Sequence, residues 1–137
     1  MIPKDVIFRK LWKEEIEKIT PLLKLKVLSK DEFLLTEHQT CRQMAFIKNG
    51  SFRHFHMNTN GSYTNIWLSS NNELICDYKS FQSGMPSNIS IQAIEESEVI
   101  LLNKNDFDKL LENSLYWNTL GRLMVENIFM MSIMRLE

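Results

Sequence analysis

The chain has 137 residues, of which 44% are hydrophobic and 24% are charged. This length and composition predict one ordinary globular domain with its own core and leave no room for a second domain of usual size. The 16 basic and 17 acidic residues give a formal charge of −1, without the basic excess of a nucleic-acid-binding surface. No stretch approaches the roughly 18 consecutive apolar residues of a membrane span, so we expect no membrane partner.

The two cysteines, Cys41 and Cys76, are far apart in the sequence and have no CxxC spacing. Such cysteines are typical of free thiols in a reducing compartment, so we expect a cytoplasmic protein without a disulfide. An iron–sulfur cluster needs about four thiolates, which this chain does not have. There is also no G-x-S-x-G, P-loop or G-x-G-x-x-G motif, so the sequence does not indicate an enzyme.

The predicted elements begin with an amphipathic helix over residues 5–20, which Pro21 ends. From residue 22 to residue 103 the pattern changes to short runs rich in Phe, Ile, Val and Leu, separated by turn signals. Regularly spaced short strands favour a mainly β fold, either a sandwich, a jelly roll or a barrel. The strongest hairpin turn is the segment 58–62, because its Asn-Gly pair tolerates the positive φ of a tight turn.

Helix signals return after the last strand. Asn103 or Asn105 can cap a short helix that carries Phe107, and Asn113-Ser114 can cap the next one. That next helix, over residues 115–137, has no Pro, and apolar residues surround nearly its whole circumference. We therefore expect it to bury one face on its own domain and another on a partner.

The apolar stripe of this last helix predicts a homodimer. Asn127 lies within the stripe, and a lone Asn at a coiled-coil core position fixes register and strand number by pairing with its equivalent. In the alternative interpretation Asn127 faces solvent and the Met-rich stripe is intradomain core. The predicted dimer-interface residues are Leu120, Leu123, Met124, Asn127, Met131 and Met134.

The segment from Asn72 to Glu98 carries a resemblance to a known family. Asn72-Glu73-Leu74 and the later run 86–97, PSNISIQAIEES, resemble the nucleotide-binding segment of the cyclic-nucleotide-binding domain. This domain is the sensor half of Crp/Fnr-type bacterial transcription regulators. The run FIKNGSFR, residues 46–53, is similar to a hairpin of the same family, with Gly50 as its pivot.

The resemblance implies an architecture and a role. The fold would be mainly β with flanking helices, a double-stranded β-helix or jelly roll over residues 1–114, followed by a long C-terminal dimerisation helix over 115–137. The implied function is effector sensing and dimerisation. DNA would be contacted only through a helix-turn-helix that is not present in this chain, and the end of the sequence within a helical pattern favours a truncated regulator.

The resemblance also implies ligand-binding residues. Glu73 takes the place of the glutamate that accepts a ribose hydroxyl, and Asn72, in place of a glycine, can still enter a positive φ. Counted from Glu73, the loop that leads to the phosphate-binding position is enlarged. The helix position that meets the base falls near Ser132. The full set is Asn72, Glu73, Leu74, Ser87, Asn88 and Ser132.

Ser87 departs from the family pattern, which places the phosphate-binding arginine at this position. One hydroxyl replaces a permanent charge and a bidentate fork of donors. The sequence therefore predicts a degenerate nucleotide pocket, no certain cofactor and a small-molecule effector of unknown identity. Glu73 has an alternative role as a carboxylate exposed to water at a strand end.

Two other functions remain open at this stage. One is a free-standing nonenzymatic dimerisation or binding module whose pocket is filled by Phe81 and Met85. The other is a cupin-type metal enzyme, because His54 and His56 form an H-x-H pair on a predicted strand. A catalytic metal site needs about three protein ligands and no histidine follows His56, so surface histidines on an ordinary strand are favoured.

Overall fold

A computed structural model describes residue 14, residues 17–119 and residues 121 and 122. The chain forms two compact units, Ile19–Lys104 and a second that combines Met1–Lys18 with Asn105–Glu137. The described strands all lie in the first unit. They are β1 (Lys24–Leu28), β2 (Phe33–Leu35), β3 (Gln43–Asn49), β4 (Ser51–Met57), β5 (Tyr63–Ser70), β6 (Leu74–Ile75), β7 (Ser90–Ala93) and β8 (Ser97–Asn103).

The strands form two four-stranded antiparallel sheets. One has the order β1-β8-β3-β6 and the other the order β2-β7-β4-β5. Among these described strands, β4 and β5 are the one pair of sheet neighbours that also follow each other in the chain. The other neighbours come from distant parts of the sequence, and the step from β3 to β4 passes from one sheet to the other. This arrangement confirms the predicted mainly β, jelly-roll type of fold.

The core of the first unit comes from strand residues with alternating burial. In β8 the inward positions include Val99 and Leu101, and in β3 and β4 they include Ile47 and Phe52. Full burial of a side chain of this size contributes about 1.5–3 kcal/mol to folding. Sheet packing therefore holds the loops at the strand ends in place.

Two predicted turns are confirmed. Gly50 joins β3 to β4 with a φ of 129°, and a Cβ at this position would overlap the Ser97 hydroxyl. Only glycine fits both the backbone conformation and the space. The β4–β5 hairpin closes as expected, since Asn58 N donates to Ser62 O at 2.8 Å and Gly61 has a φ of 87°.

Two short helices complete the described elements, together with a 3₁₀ turn at Thr20–Leu22. Helix α1 spans Tyr78–Ser83 and ends at Gly84, which has a φ of 76°. Helix α2 spans Lys104–Asn113 and buries Phe107. Ser114 Oγ accepts from Trp117 N at 3.3 Å, so the predicted cap of the following helix is present.

The terminal helices are described in part. Residues 14, 17–19, 115–119, 121 and 122 are helical, in agreement with the predicted patterns. The predicted dimer-interface residues and Ser132 lie outside the described residues, so the long dimerisation helix stays a prediction. Over the part of the chain that is described, no helix is long and apolar enough to cross a bilayer.

Candidate functional site

The acidic residue that directly precedes helix α1 is not Glu73, on which the family resemblance was aligned. Asn72 and Glu73 lie in the turn between β5 and β6, before the helix. Asn72 has the expected positive φ, 70°. The Glu73 carboxylate accepts from Ser70 N at 3.2 Å and so closes its own turn. The acidic residue that opens α1 is Asp77, at the N-cap, which removes the apparent enlargement of the loop to Ser87.

Ser87 faces Asp77. The Ser87 side chain is 1% exposed, and its hydroxyl donates to Asp77 Oδ2 at 2.5 Å and accepts from Ile89 N at 3.1 Å. A carboxylate therefore lies directly beside the residue at which the resemblance places a phosphate-binding arginine. The hydroxyl already has protein partners, so it has little capacity left to hold a ligand.

The main chain at Ser87 is fixed separately from its side chain. Ser87 N donates to Gln39 O and His38 N donates to Ser87 O, both at 2.8 Å. Thr40 and Pro86 form an antiparallel bridge beside them. These bonds tie the segment around Ser87 to the loop that precedes β3.

A cavity of about 420 Å³ lies between the two sheets, next to this loop. Its apolar wall comes from β2, β3, β6, β7 and β8, and its polar side comes from the loop and from β1. The lining residues are Lys26, Leu34, Leu35, Gln39, Thr40, Cys41, Arg42, Gln43, Ala45, Ile75, Cys76, Ile91 and Leu101. The volume suits a small molecule, and Lys26 and Arg42 provide positive charge beside an apolar wall.

The predicted ligand residues do not line this cavity. Leu74 is half-buried and pairs with Phe46 across the β3–β6 ladder, and Asn88 is exposed. Asn72, Glu73 and Ser87 make the local contacts described above, and the cavity residue nearest to Glu73 in sequence is Ile75. The role of the predicted set in ligand binding stays a prediction.

The two cysteines meet at the cavity. Both are free thiols, and a hydrogen bond from the Cys76 thiol is the main cause that lowers the pKa of Cys41 from its ordinary 9.0 to about 7. Main-chain N–H groups of Asp77 and Gln43 lower it further, while burial and the Asp77 carboxylate act in the opposite direction. The same thiol contact, together with burial, raises the pKa of Cys76 well above 9.0.

A family model described as "Cyclic nucleotide-binding domain" matches residues 25–114. This chain belongs to the cyclic nucleotide-binding domain family. The match covers both sheets, α1 and the loop before β3, and it confirms the resemblance to the sensor domains of Crp/Fnr-type regulators. No curated protein matches the sequence.

Solved structures of the same fold agree with this family. The Catabolite Activator Protein of Thermus thermophilus superposes with a TM-score of 0.80 at 15% identity, over 95% of this chain and 61% of that one. A cyclic nucleotide-binding domain from Methylobacillus flagellatus gives 0.76 at 23% identity, over 89% and 70%. The sensor domain of the transcriptional regulator DNR from Pseudomonas aeruginosa gives 0.76 at 10% identity, over 93% and 85%. At these identities the likeness establishes the fold.

The histidine pair of this cyclic nucleotide-binding domain differs from the expectation. His54 is 6% exposed and its Nε2 lies 2.8 Å from Ser69 Oγ, so it is a core residue and the prediction of a surface histidine was wrong. His56 is half-buried. Across the described ranges, no three His, Cys, Asp or Glu side chains converge in a way that could hold a metal ion.

The predicted plug of the pocket is also corrected. Phe81 is buried, and Lys104 Nζ lies 4.9 Å from its ring centroid. Met85 is 62% exposed, and neither side chain lines the cavity. Phe81 is a buried residue of α1 and Met85 faces solvent, so these two residues do not fill the space between the sheets.

Sequence reasoning missed three groups at this site. Asp77 was overlooked because Glu73 offered an earlier acidic residue, although Asp77 stands directly before the run that becomes α1. The two thiols are separated in sequence and meet only through the pairing of β3 with β6. Arg42 and Lys26 carry no motif, and only the fold places them at the cavity.

Proposed function

We propose that this chain is the effector-sensing and dimerisation domain of a Crp/Fnr-type transcription regulator, with a pocket that does not retain a cyclic phosphate. The observation that carries the proposal is the contact between the Ser87 hydroxyl and the Asp77 carboxylate at 2.5 Å. The domain family supplies the sensing role. The proposed domain is nonenzymatic and binds a small-molecule effector.

Charge explains the exclusion of phosphate. An arginine would supply charge-assisted hydrogen bonds of about 1.5–3 kcal/mol each, and Ser87 supplies none. Loss of one such bond lowers affinity roughly tenfold to a hundredfold. The Asp77 carboxylate adds repulsion because it is hydrogen-bonded at the same position.

The cavity supports effector sensing over the alternative of a module with a filled pocket. Its volume of about 420 Å³ is not occupied by Phe81 or Met85. We propose that an effector in this space changes the packing of the helix 115–137 at a dimer axis, and so turns a DNA-reading domain that lies outside this chain. The chain spans 61% of the Thermus thermophilus protein, so the activity of a whole regulator is part of the proposal.

Calorimetric titration with cyclic AMP and cyclic GMP tests the pocket. We expect no saturable binding of either nucleotide in the micromolar range, because the bidentate cation is replaced by a hydroxyl and a carboxylate. Asp77→Asn should raise any residual nucleotide affinity, since it removes a negative charge. Glu96→Gln, a matched change at an exposed residue, should leave it unchanged.

Micromolar binding of either nucleotide to the unaltered chain would refute the degenerate pocket. Equal nucleotide affinities in the Asp77→Asn and Glu96→Gln variants would show that the charge of Asp77 does not exclude phosphate.

A further inference from the structure

Cys41 and Cys76 approach each other because of strand pairing. Cys41 lies in the loop before β3, and Cys76 directly follows β6. The two strands are antiparallel neighbours, with Ala45 opposite Ile75, and both cysteines line the same cavity. Each thiol is also the largest cause of the pKa shift of the other. The cavity therefore places the two thiols side by side.

Cys41 is held in place and surrounded by hydrogen-bond donors. Its main-chain N–H donates to Ser80 Oγ at 2.8 Å, and its neutral thiol donates to Gln43 O at 3.4 Å. When it ionises, the sulfur accepts from the Cys76 thiol and from the main-chain N–H groups of Asp77 and Gln43. Three donors around one sulfur favour the thiolate, and the thiolate is the nucleophilic form of cysteine.

The two cysteines have unequal roles in this contact. The pKa of Cys41 falls to about 7. The pKa of Cys76 rises, because its S–H group donates a hydrogen bond to the Cys41 sulfur. The Asp77 carboxylate and burial act against the Cys41 thiolate, but the hydrogen bonds to the sulfur outweigh them. At neutral pH one sulfur is prepared for attack and the other keeps its proton.

We propose that Cys41 and Cys76 form a peroxide-reactive dithiol, in which Cys41 is the nucleophile and Cys76 the resolving thiol. This modification site goes beyond the proposed function, since it requires neither a nucleotide nor a dimer. The oxidant is a hydroperoxide, of which hydrogen peroxide is the smallest. The cavity of about 420 Å³ gives such a molecule ample room beside both sulfurs.

The reaction proceeds in two balanced steps. The Cys41 thiolate attacks one peroxide oxygen, the O–O bond breaks, and the departing hydroxide takes a proton to become water, which leaves a sulfenic acid on Cys41. The Cys76 sulfur then attacks the Cys41 sulfur, and an S–S bond replaces the S–O bond. The second hydroxide leaves with the Cys76 proton as water. Two thiols lose two electrons, and the peroxide gains them.

The disulfide would act on the same segment as the effector pocket. Cys76 directly precedes Asp77, the N-cap of α1, and Cys41 belongs to the loop whose main chain is bonded to Ser87. A bond between the sulfurs would tie the start of α1 to this loop and change the cavity wall. Oxidation therefore controls the shape of the cavity without a bound small molecule.

Mass spectrometry of the reduced chain treated with hydrogen peroxide tests the proposal. The unaltered chain should lose two hydrogen atoms and yield one crosslinked peptide that joins Cys41 to Cys76. Cys76→Ser should instead gain an oxygen atom at Cys41, which a sulfenic-acid reagent such as dimedone traps. Cys41→Ser should react more slowly than Cys76→Ser, because burial still raises the pKa of the remaining Cys76 thiol.

Alkylation with iodoacetamide gives an independent measure of the thiolate. At pH 7, a thiol with a pKa of about 7 rather than 9.0 should react roughly sixfold faster, after the loss of intrinsic nucleophilicity is included. Because Cys41 is 5% exposed, access also limits its absolute rate, so the pH dependence is the measure: we expect a midpoint near 7 in the folded chain that Cys76→Ser moves upward.

Three results would overturn the dithiol. These are the same pH midpoint for the alkylation of Cys41 in the folded and urea-unfolded chain, equal peroxide reactivity of the unaltered chain and Cys41→Ser, and crosslinks found only between separate chains. Circular dichroism identifies any variant that fails to fold. The unaltered chain decides the question alone, since the intramolecular crosslink either forms in it or does not.

Discussion

At the residue scale, the proposed exclusion of a cyclic phosphate depends on position 87. The Ser87 hydroxyl is neutral and its partner Asp77 is an acid, so the pair presents no positive charge. A phosphate has no strong donor here and meets a carboxylate. The cations that lie near the cavity, Lys26 and Arg42, belong to another part of its wall. An acidic or polar effector would therefore bind at a different place from a cyclic phosphate.

Gly50 is a second residue with a specific physical requirement. Its φ is 129°, and the Ser97 side chain occupies the space that a Cβ at position 50 would need. We predict that Gly50→Ala destabilises the fold by about 3 kcal/mol, from backbone strain and steric overlap together. Urea denaturation of the reduced chain measures this free energy of unfolding.

Gly61→Ala is the control for the backbone term, because Gly61 has a φ of 87° but open space around it. It should cost only about 1 kcal/mol. If the two variants were equally stable, the overlap with Ser97 would have no energetic weight.

The conformations of single residues were predictable where they depend on near neighbours. The positive φ of Asn72 and the pivot role of Gly50 follow from turn chemistry that a few residues define. The contact of Asp77 with Ser87 and the burial of His54 depend on which strands become neighbours. That information is spread over the whole sheet, so no local pattern carries it.

At the element scale, α1 depends on one buried hydroxyl. Ser80 is 2% exposed, and its Oγ accepts from Cys41 N at 2.8 Å and donates to Met85 O at 2.5 Å. The Asp77 side chain makes no capping hydrogen bond to α1. The first turn of the helix is therefore held by side chains of the helix itself, among them Ser80. Ser80 therefore joins α1 to the loop before β3 and to the segment after the helix.

Ser80→Ala should destabilise the fold by about 2 kcal/mol, because it leaves one buried donor without a partner and removes a bond to a carbonyl. Ser83→Ala is the matched control. Ser83 is exposed, and its hydroxyl bonds only within the helix region, to Lys79 O and Met85 N, so we expect about 0.5 kcal/mol. Thermal or urea unfolding compares the two, and a larger effect at Ser83 would contradict the anchoring role of Ser80.

The strands were easier to predict than α1. Short apolar-rich runs and the Asn-Gly turns beside them mark β3, β4 and β5 in the sequence, because these signals arise within each strand and the turn next to it. Helix α1 has only six residues, which is too short for a helical period to show. Asp77, the residue directly before this helix, was therefore not singled out from the sequence.

At the scale of the whole molecule, two antiparallel sheets form one unit and the terminal segments another. The family match covers the two sheets and ends at residue 114, just before the proposed dimerisation helix. The apolar pattern of residues 115–137 continues to favour a partner helix on general grounds, because an apolar surface of that extent is seldom left in water.

Asn127→Leu tests the dimer. We predict that the unaltered chain forms one dimeric species and that the variant folds but populates several oligomeric states, because a buried Asn pair restricts strand number. Multi-angle light scattering measures the mass distribution. Asn105→Leu, the same chemical change at an exposed residue outside this helix, should leave the distribution sharp. A single sharp monomer for both the unaltered chain and Asn127→Leu would disprove the predicted interface.

The main-chain bonds of Ser87 to His38 and Gln39 have a consequence for how such sensors diversify. They hold this position without any help from the side chain, so replacement of the side chain leaves the frame intact. We therefore expect single substitutions at positions with such main-chain bonds to change effector preference in this fold. The free energy of unfolding should change little. The proposed loss of a phosphate ligand would then be one such substitution, which changes the effector while the fold stays the same.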